Sequence, residues 1–179
     1  MPEKIEVVGL GQASVDYLAQ IKAYPEPDAK CECTGLTIQG GGPAATAMVT
    51  LSRLGVSTAF IGAVGADVFG RFIRGSLIDE GVDVSSLVVN PGGESQFAFI
   101  AVEQDTARRN IFWHRGGGTT LEPDQLNLNL IRAAKLLHLD GLKLEACLAA
   151  ARTARDVGIP VVYDAGTLRE GCLELAALT

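Results

Sequence analysis

Apolar positions along the chain follow two rhythms. Residues 5–10, 58–64, 135–139 and 159–163 are short, mostly apolar runs of the kind buried on both sides in a parallel sheet. Residues 43–54, 68–79, 126–133, 144–156 and 170–178 place apolar residues three or four apart, as one face of a helix does. In the first of these, Ala44, Met48 and Leu51 form the apolar face, and Thr46, Thr50 and Arg53 a polar stripe. Strands that alternate with helices predict an α/β fold whose mostly parallel sheet is covered on both faces.

Two intervals break that rhythm. Residues 16–21 fit a strand or a helix before Pro25 and Pro27 interrupt them, and residues 31–39 alternate like a strand. Residues 96–103 and 110–114 flank the polar stretch 104–109, which reads as a hairpin. Before it come an extended segment, 82–89, and a Pro-Gly-Gly turn at 91–93. These β-rich pieces, within about 13–39 and 96–114, need a place outside the main sheet.

The sixteen residues GGGPAATAMVTLSRLG, 40–55, join a glycine-rich turn to a helix. Pro43 presets the first turn and Gly55 closes the helix. Backbone amides at such a start are expected to be open to an anionic or hydroxyl-rich ligand. In VGADVFG, 64–70, Gly65 allows a sharp turn off the strand and Asp67 is a good N-cap for the next helix. GLGQAS, 9–14, mimics a dinucleotide-binding fingerprint. That reading requires a helix to follow directly, and it would make the protein a nicotinamide-dependent oxidoreductase. Gly116–Gly118 lacks the Gly-Lys-Ser/Thr ending of a P-loop and reads as a flexible exit from the hairpin.

The Gly-Gly pair, the small residues after it, the Arg-Leu-Gly ending and the VGADVFG junction resemble the ribokinase-like (PfkB) family of sugar and nucleoside kinases. The resemblance implies a three-layer αβα sandwich with a small β-sheet lid, residues 1–179 being the N-terminal part of one such domain. It implies that Asp16 grips sugar hydroxyls, which suits a carboxylate with two acceptor oxygens. Gly41 and Gly42 would lie against the substrate, and Thr46 stands where the family usually has a sugar-contacting Asn. Asp140, at a strand end and followed by Gly141, fits either a sugar contact or a helix cap. Lys30, Asp164 and Arg169 complete the candidates. The family's late Gly-Ala-Gly-Asp signature, which carries the general base and an anion hole, is not found in these 179 residues. The base is therefore expected beyond Thr179, no catalytic residue is assigned, and the chain alone is expected to be inactive. ATP and Mg are the implied cofactors, with a sugar or nucleoside as acceptor and a homodimer formed through the lid. A non-catalytic sugar-binding protein made from a truncated kinase remains the alternative.

Composition narrows this further. A hydrophobic content of 47% supplies a core, and with aromatics at only 6% that core is aliphatic and alanine-rich. A net charge of −6 argues against nucleic-acid and anionic-membrane partners, which need a basic face. The start, Met1-Pro2-Glu3-Lys4, runs into a strand with no secretory pattern, and no apolar run reaches membrane-spanning length. Cys31, Cys33, Cys147 and Cys172 lack zinc-ligand spacing and are expected to be reduced and buried or inert; no metal site is assigned. Together these features point to a cytoplasmic protein.

Overall fold

The computed structural model describes residues 4–166 and 168–179. Strand β1 (Val7–Leu10) is buried at every position and lies at the centre of a five-stranded parallel sheet. Beside it on one side are β4 (Thr58–Gly65) and β5 (Leu87–Asn90), and on the other β8 (Leu136–Leu139) and β9 (Val161–Tyr163). Strand alternation sorts the apolar residues into two cores. Val8, Leu10, Ile61, Leu137 and Leu139 point to one face, where α3 (Leu128–Ala133), α4 (Leu144–Asp156) and α5 (Cys172–Ala176) cover them. Val7, Phe60 and Val64 point to the other, under α1 (Pro43–Arg53) and α2 (Val68–Asp79). Ala146, Ala150, Ala151 and Ala154 of α4 are all fully buried, so the absence of bulk lets this helix lie close on the sheet. This is the three-layer, ribokinase-like architecture.

The β-rich intervals form a separate four-stranded sheet in the order β3 (Cys33–Gly41), β2 (Ser14–Ile21), β6 (Phe97–Glu103), β7 (Arg109–His114). Residues 16–21 are thus strand. Tyr17 and Phe97, on one face of this sheet, pack on Phe69 of α2 with ring centroids 6.2 and 5.3 Å apart, which fixes its base to the main body. Further along, Leu36, Ile38, Ile111, Phe112 and Trp113 are exposed.

Some boundaries differ from the sequence reading. The helix expected over 126–133 begins at Leu128, after a 3-10 turn at Pro123–Gln125, because Pro123 and the Asn127 cap delay it. The helix expected over 170–178 shrinks to five residues, since it starts on the left-handed Gly171. Cys31, in the β2–β3 connection, and Cys33, at the start of the edge strand β3, are exposed rather than buried, whereas Cys147 and Cys172 are buried. No helix among the described residues is long and apolar enough to cross a membrane.

Candidate functional site

The order of the main sheet reverses at β1. The chain first builds outward through β4 and β5, then returns to place β8 and β9 on the opposite side. Ligands of open α/β sheets bind beyond the strand carboxyl ends at such a reversal. Here that point lies between the ends of β1 and β8, and it is tied by Asp140. Its Oδ2 accepts from the Gln12 amide at 2.7 Å and the Ala44 amide at 3.4 Å, and its Oδ1 from Leu142 at 3.0 Å. The carboxylate is 7% exposed, and burial pushes its pKa up while the three amides pull against that shift. Asp140 therefore serves the start of α1, not α4, whose N-cap is Lys143.

This changes the expectation for the glycine-rich helix start. The Ala44 amide is taken by Asp140, the Ala45 amide by the Gln12 carbonyl at 3.4 Å, and Pro43 has no N–H. The first turn of α1 is satisfied internally and offers no open row of amides. The glycines are needed for close approach instead. Gly42 has φ 95°, and a side chain there would drive into the Gln12 backbone. A Cβ at Gly41 would collide with the carboxylate of Asp16.

Asp16 is half-buried on β2, opposite Gln39 on one side and Ala98 on the other. Its Oδ1 accepts from the Ser14 hydroxyl at 2.8 Å. Burial raises the carboxyl pKa, and the Ser14 bond offsets part of that shift. Unlike Asp140, it has spare acceptor capacity. Ala98 in turn pairs with Trp113, so Gln39, Asp16, Ala98 and Trp113 form one row on one face of the second sheet.

Thr46 is exposed and lines a cleft of about 230 Å³ between α1 and α2, together with Ser14 and Gly41. The far end of this cleft is closed by Arg53 and Glu80, whose paired contacts include Nε to Oε2 at 2.7 Å. Asp16, Gly41, Gly42 and Thr46 thus come together where β2, β3 and α1 meet, with Asp140 behind them as the tie.

The other candidates lie elsewhere. Lys30 is exposed in the β2–β3 connection, at the end of the sheet where Ile21 pairs with Cys33, and so roughly 20 Å of strand from Ser14 and Gly41. Asp164 follows β9, where its amide donates to Leu139 at 2.8 Å and its side chain is exposed. The Arg169 amide donates to the Cys172 thiol at 3.0 Å, just before α5. Asp67 caps α2 as expected, accepting from the Gly70 amide at 2.7 Å. It also holds the Ser95 amide at 2.8 Å and the Ser95 hydroxyl at 2.7 Å. The dinucleotide reading of residues 9–14 is overturned: β1 passes through Gly11–Ala13 straight into β2, with no helix to receive a pyrophosphate.

Sequence reasoning missed a second, smaller cleft of about 70 Å³ at the same strand ends, lined by Gly11, Gln12, Gln96, Arg115, Thr119 and Lys143. The alternation of β7 carried the signal. Extended by one step, it puts Arg115 on the face of Trp113 and Asp16.

Known proteins resemble this chain over most of its length. The chain is 32% identical over 165 residues to fructokinase-1 of Zea mays, a match covering 88% of this chain and 50% of that protein. It is 30% identical over 165 residues to the fructokinase of Solanum tuberosum, with coverage of 88% and 50%. Among solved structures, Arabidopsis thaliana ribokinase complexed with ribose and ATP superposes with a TM-score of 0.77 at 21% identity, over 93% of this chain and 55% of that one. The chain spans about half the length of the curated relatives it matches. The model of the pfkB family carbohydrate kinases matches residues 3–179, and the chain belongs to that family.

Proposed function

We propose that the chain forms the acceptor-binding half of an ATP-dependent carbohydrate kinase. The observation that carries this is Asp16 set against Gly41: a half-buried carboxylate with unused acceptor oxygens, over backbone that no side chain can cover. Two adjacent sugar hydroxyls can donate to it in a fixed geometry. Thr46 offers one further hydroxyl, and the second sheet would close over the sugar as a lid. The fructokinase names of the relatives and the ribose in the Arabidopsis structure support a sugar as the acceptor.

The ATP and ADP named with solved relatives support ATP as the phosphoryl donor. Among the described residues no three His, Cys, Asp or Glu side chains gather to hold a metal ion, and the role proposed for this chain is acceptor recognition alone. No Gly-Ala-Gly-Asp run is present, so these 179 residues bind without transferring phosphate. The exposed apolar residues of the second sheet support a homodimer formed through it. Cys31 and Cys33, exposed and free, suit a reducing, cytoplasmic setting.

Asp16→Asn tests the reading. In an enzyme carrying this chain, kcat/KM for the sugar should fall at least about tenfold, as for loss of a charge-assisted hydrogen bond, with the KM for ATP far less affected. Equal losses for sugar and ATP at an unaltered melting temperature would remove Asp16 from the acceptor site.

A further inference from the structure

The 70 Å³ cleft holds two cations that the acceptor contacts above do not use. Arg115 follows β7 and Lys143 precedes α4, so they reach the cleft from distant parts of the chain. Among the described residues, neither makes an ion pair. Lys143 donates to the Thr119 carbonyl at 3.0 Å, and Arg115 lies over the Trp113 ring at 4.8 Å. Of the two carboxylates that act on Lys143, Asp140 and Glu122, Asp140 has both oxygens engaged by amides.

Burial lowers the pKa of Lys143, and the charge of Arg115 lowers it further, against the pull of Asp140 and Glu122. Two like charges converging on a partly buried cleft are unfavourable until an anion joins them. In a chain with a net charge of −6, this unpaired basic pair is conspicuous. Its position adds the second half of the argument. Trp113 shares a row with Asp16 two strand spacings away, about 10 Å, and Arg115 stacks on Trp113. One small molecule can reach both.

We infer that the acceptor is an acidic sugar derivative, whose carboxylate or phosphate is held by Arg115 and Lys143 while Asp16 takes its hydroxyls. Arg115 supplies a planar two-donor fork and Lys143 a point charge, the complementary pair for such an anion. The inference rests on the acceptor-site reading above and narrows its substrate class.

Calorimetric titration of the 179-residue chain with matched ligands tests it: D-gluconate against D-glucitol, and D-fructose 6-phosphate against D-fructose. At least one acid should bind about tenfold or more tightly than its neutral partner. The pair that shows this preference tells carboxylate from phosphate. Arg115→Gln and Lys143→Gln should each pull the ratio towards one, Arg115→Lys should keep part of it, and added salt should shrink it. Arg115 is exposed, so its variants should melt like the parent and keep the test readable if Lys143→Gln folds poorly. A ratio near one in both pairs, with neutral sugar still bound in an Asp16-dependent way, overturns the inference and leaves the acceptor site standing. A preference indifferent to both cations overturns their assignment. If no ligand binds, or binding ignores Asp16→Asn, both readings fall.

Discussion

Asp140 and Asp16 both lie close to the glycine-rich turn before α1, Asp140 bonded to the Ala44 amide and Asp16 against Gly41, and burial raises the pKa of both. Asp140 belongs to the parallel sheet. Both its oxygens are engaged by backbone amides, three in all from three segments, and it is almost wholly buried. Asp16 belongs to the second sheet, where the Ser14 hydroxyl makes the one hydrogen bond to its carboxylate among the described residues. The same contrast runs through the two regions. The parallel sheet has a fully buried central strand, β1, with helices on both faces, whereas the second sheet leaves Leu36, Phe112 and Trp113 in solvent. Similar pKa shifts thus accompany opposite uses. A buried carboxylate with both oxygens engaged by backbone amides holds the frame, and one with an oxygen to spare is available to a ligand.

Removing each carboxylate is the strongest way to break this contrast. Asp140→Ala strands three amide donors at a buried junction, each of which costs about 1–3 kcal/mol when unpaired. We expect a loss of roughly 3 kcal/mol or more in a urea unfolding curve. Asp16→Asn should change stability by no more than about 1 kcal/mol, because the amide oxygen of Asn can still accept from the Ser14 hydroxyl. Equal destabilisation by the two variants would end the distinction.

The neighbouring glycines sharpen it. Gly42→Ala must hold φ 95° against the Gln12 backbone, which cannot move aside, and should lose about 1–3 kcal/mol of stability. Gly41→Ala meets the movable side chain of Asp16 instead. It should cost less stability and more sugar affinity, read by unfolding and titration of the same sample.

How much of this the sequence shows depends on range. Helix α2 matches residues 68–79 because its signals are local: Asp67 caps it and Gly81 ends it with φ 77°. The hairpin of β6 and β7 is local too, as are the alternating strands of the main sheet. Asp140 could be read only as a strand-end acid, because its partners Gln12 and Ala44 lie 128 and 96 residues away. The same distance hid the filling of the α1 amides and the meeting of Arg115 with Lys143. Residues 16–21 looked ambiguous because what makes them a strand is pairing with β3 and β6, not their own pattern. The exposure of Cys33 follows from β3 being an edge, a property of strand order that alternation cannot reveal.

Acid titration separates a third carboxylate from the first two. The Asp67 pKa is lowered: burial acts to raise it, but hydrogen bonds from Ser95 and Gly70 prevail. A carboxyl whose pKa is lower folded than unfolded stabilises the fold above the ordinary carboxylate range, and that contribution fades as pH falls through the folded value. Asp67→Ala should therefore cost about 1 kcal/mol near neutrality, the usual worth of a cap, with the gap to the parent closing below about pH 4. Asp16 and Asp140 carry the opposite sign. Burial disfavours their charged forms, so their contribution is fullest below the ordinary range and is lost as pH rises through the raised values. A gap between parent and Asp67→Ala that widens on acidification would contradict this assignment.

The smallest effect concerns Thr46, which tests whether the ligand-facing side of the cleft is separable from the frame. Its side chain is exposed on α1, and its backbone carbonyl accepts from the Thr50 hydroxyl at 2.8 Å, a bond that substitution at 46 leaves in place. Alanine is also the better helix former. Thr46→Ala should therefore move stability by no more than about 0.5 kcal/mol, as surface changes do. Sugar affinity should fall about fivefold, since a neutral hydroxyl bond contributes about 1 kcal/mol. Thr46→Asn adds a two-ended amide that can both donate and accept, and it should shift the preference among sugars without altering the melt. If Thr46→Ala instead lowers the melting temperature as Gly42→Ala does, Thr46 belongs to the frame with Asp140, and the acceptor face narrows to Asp16 and the glycine beside it.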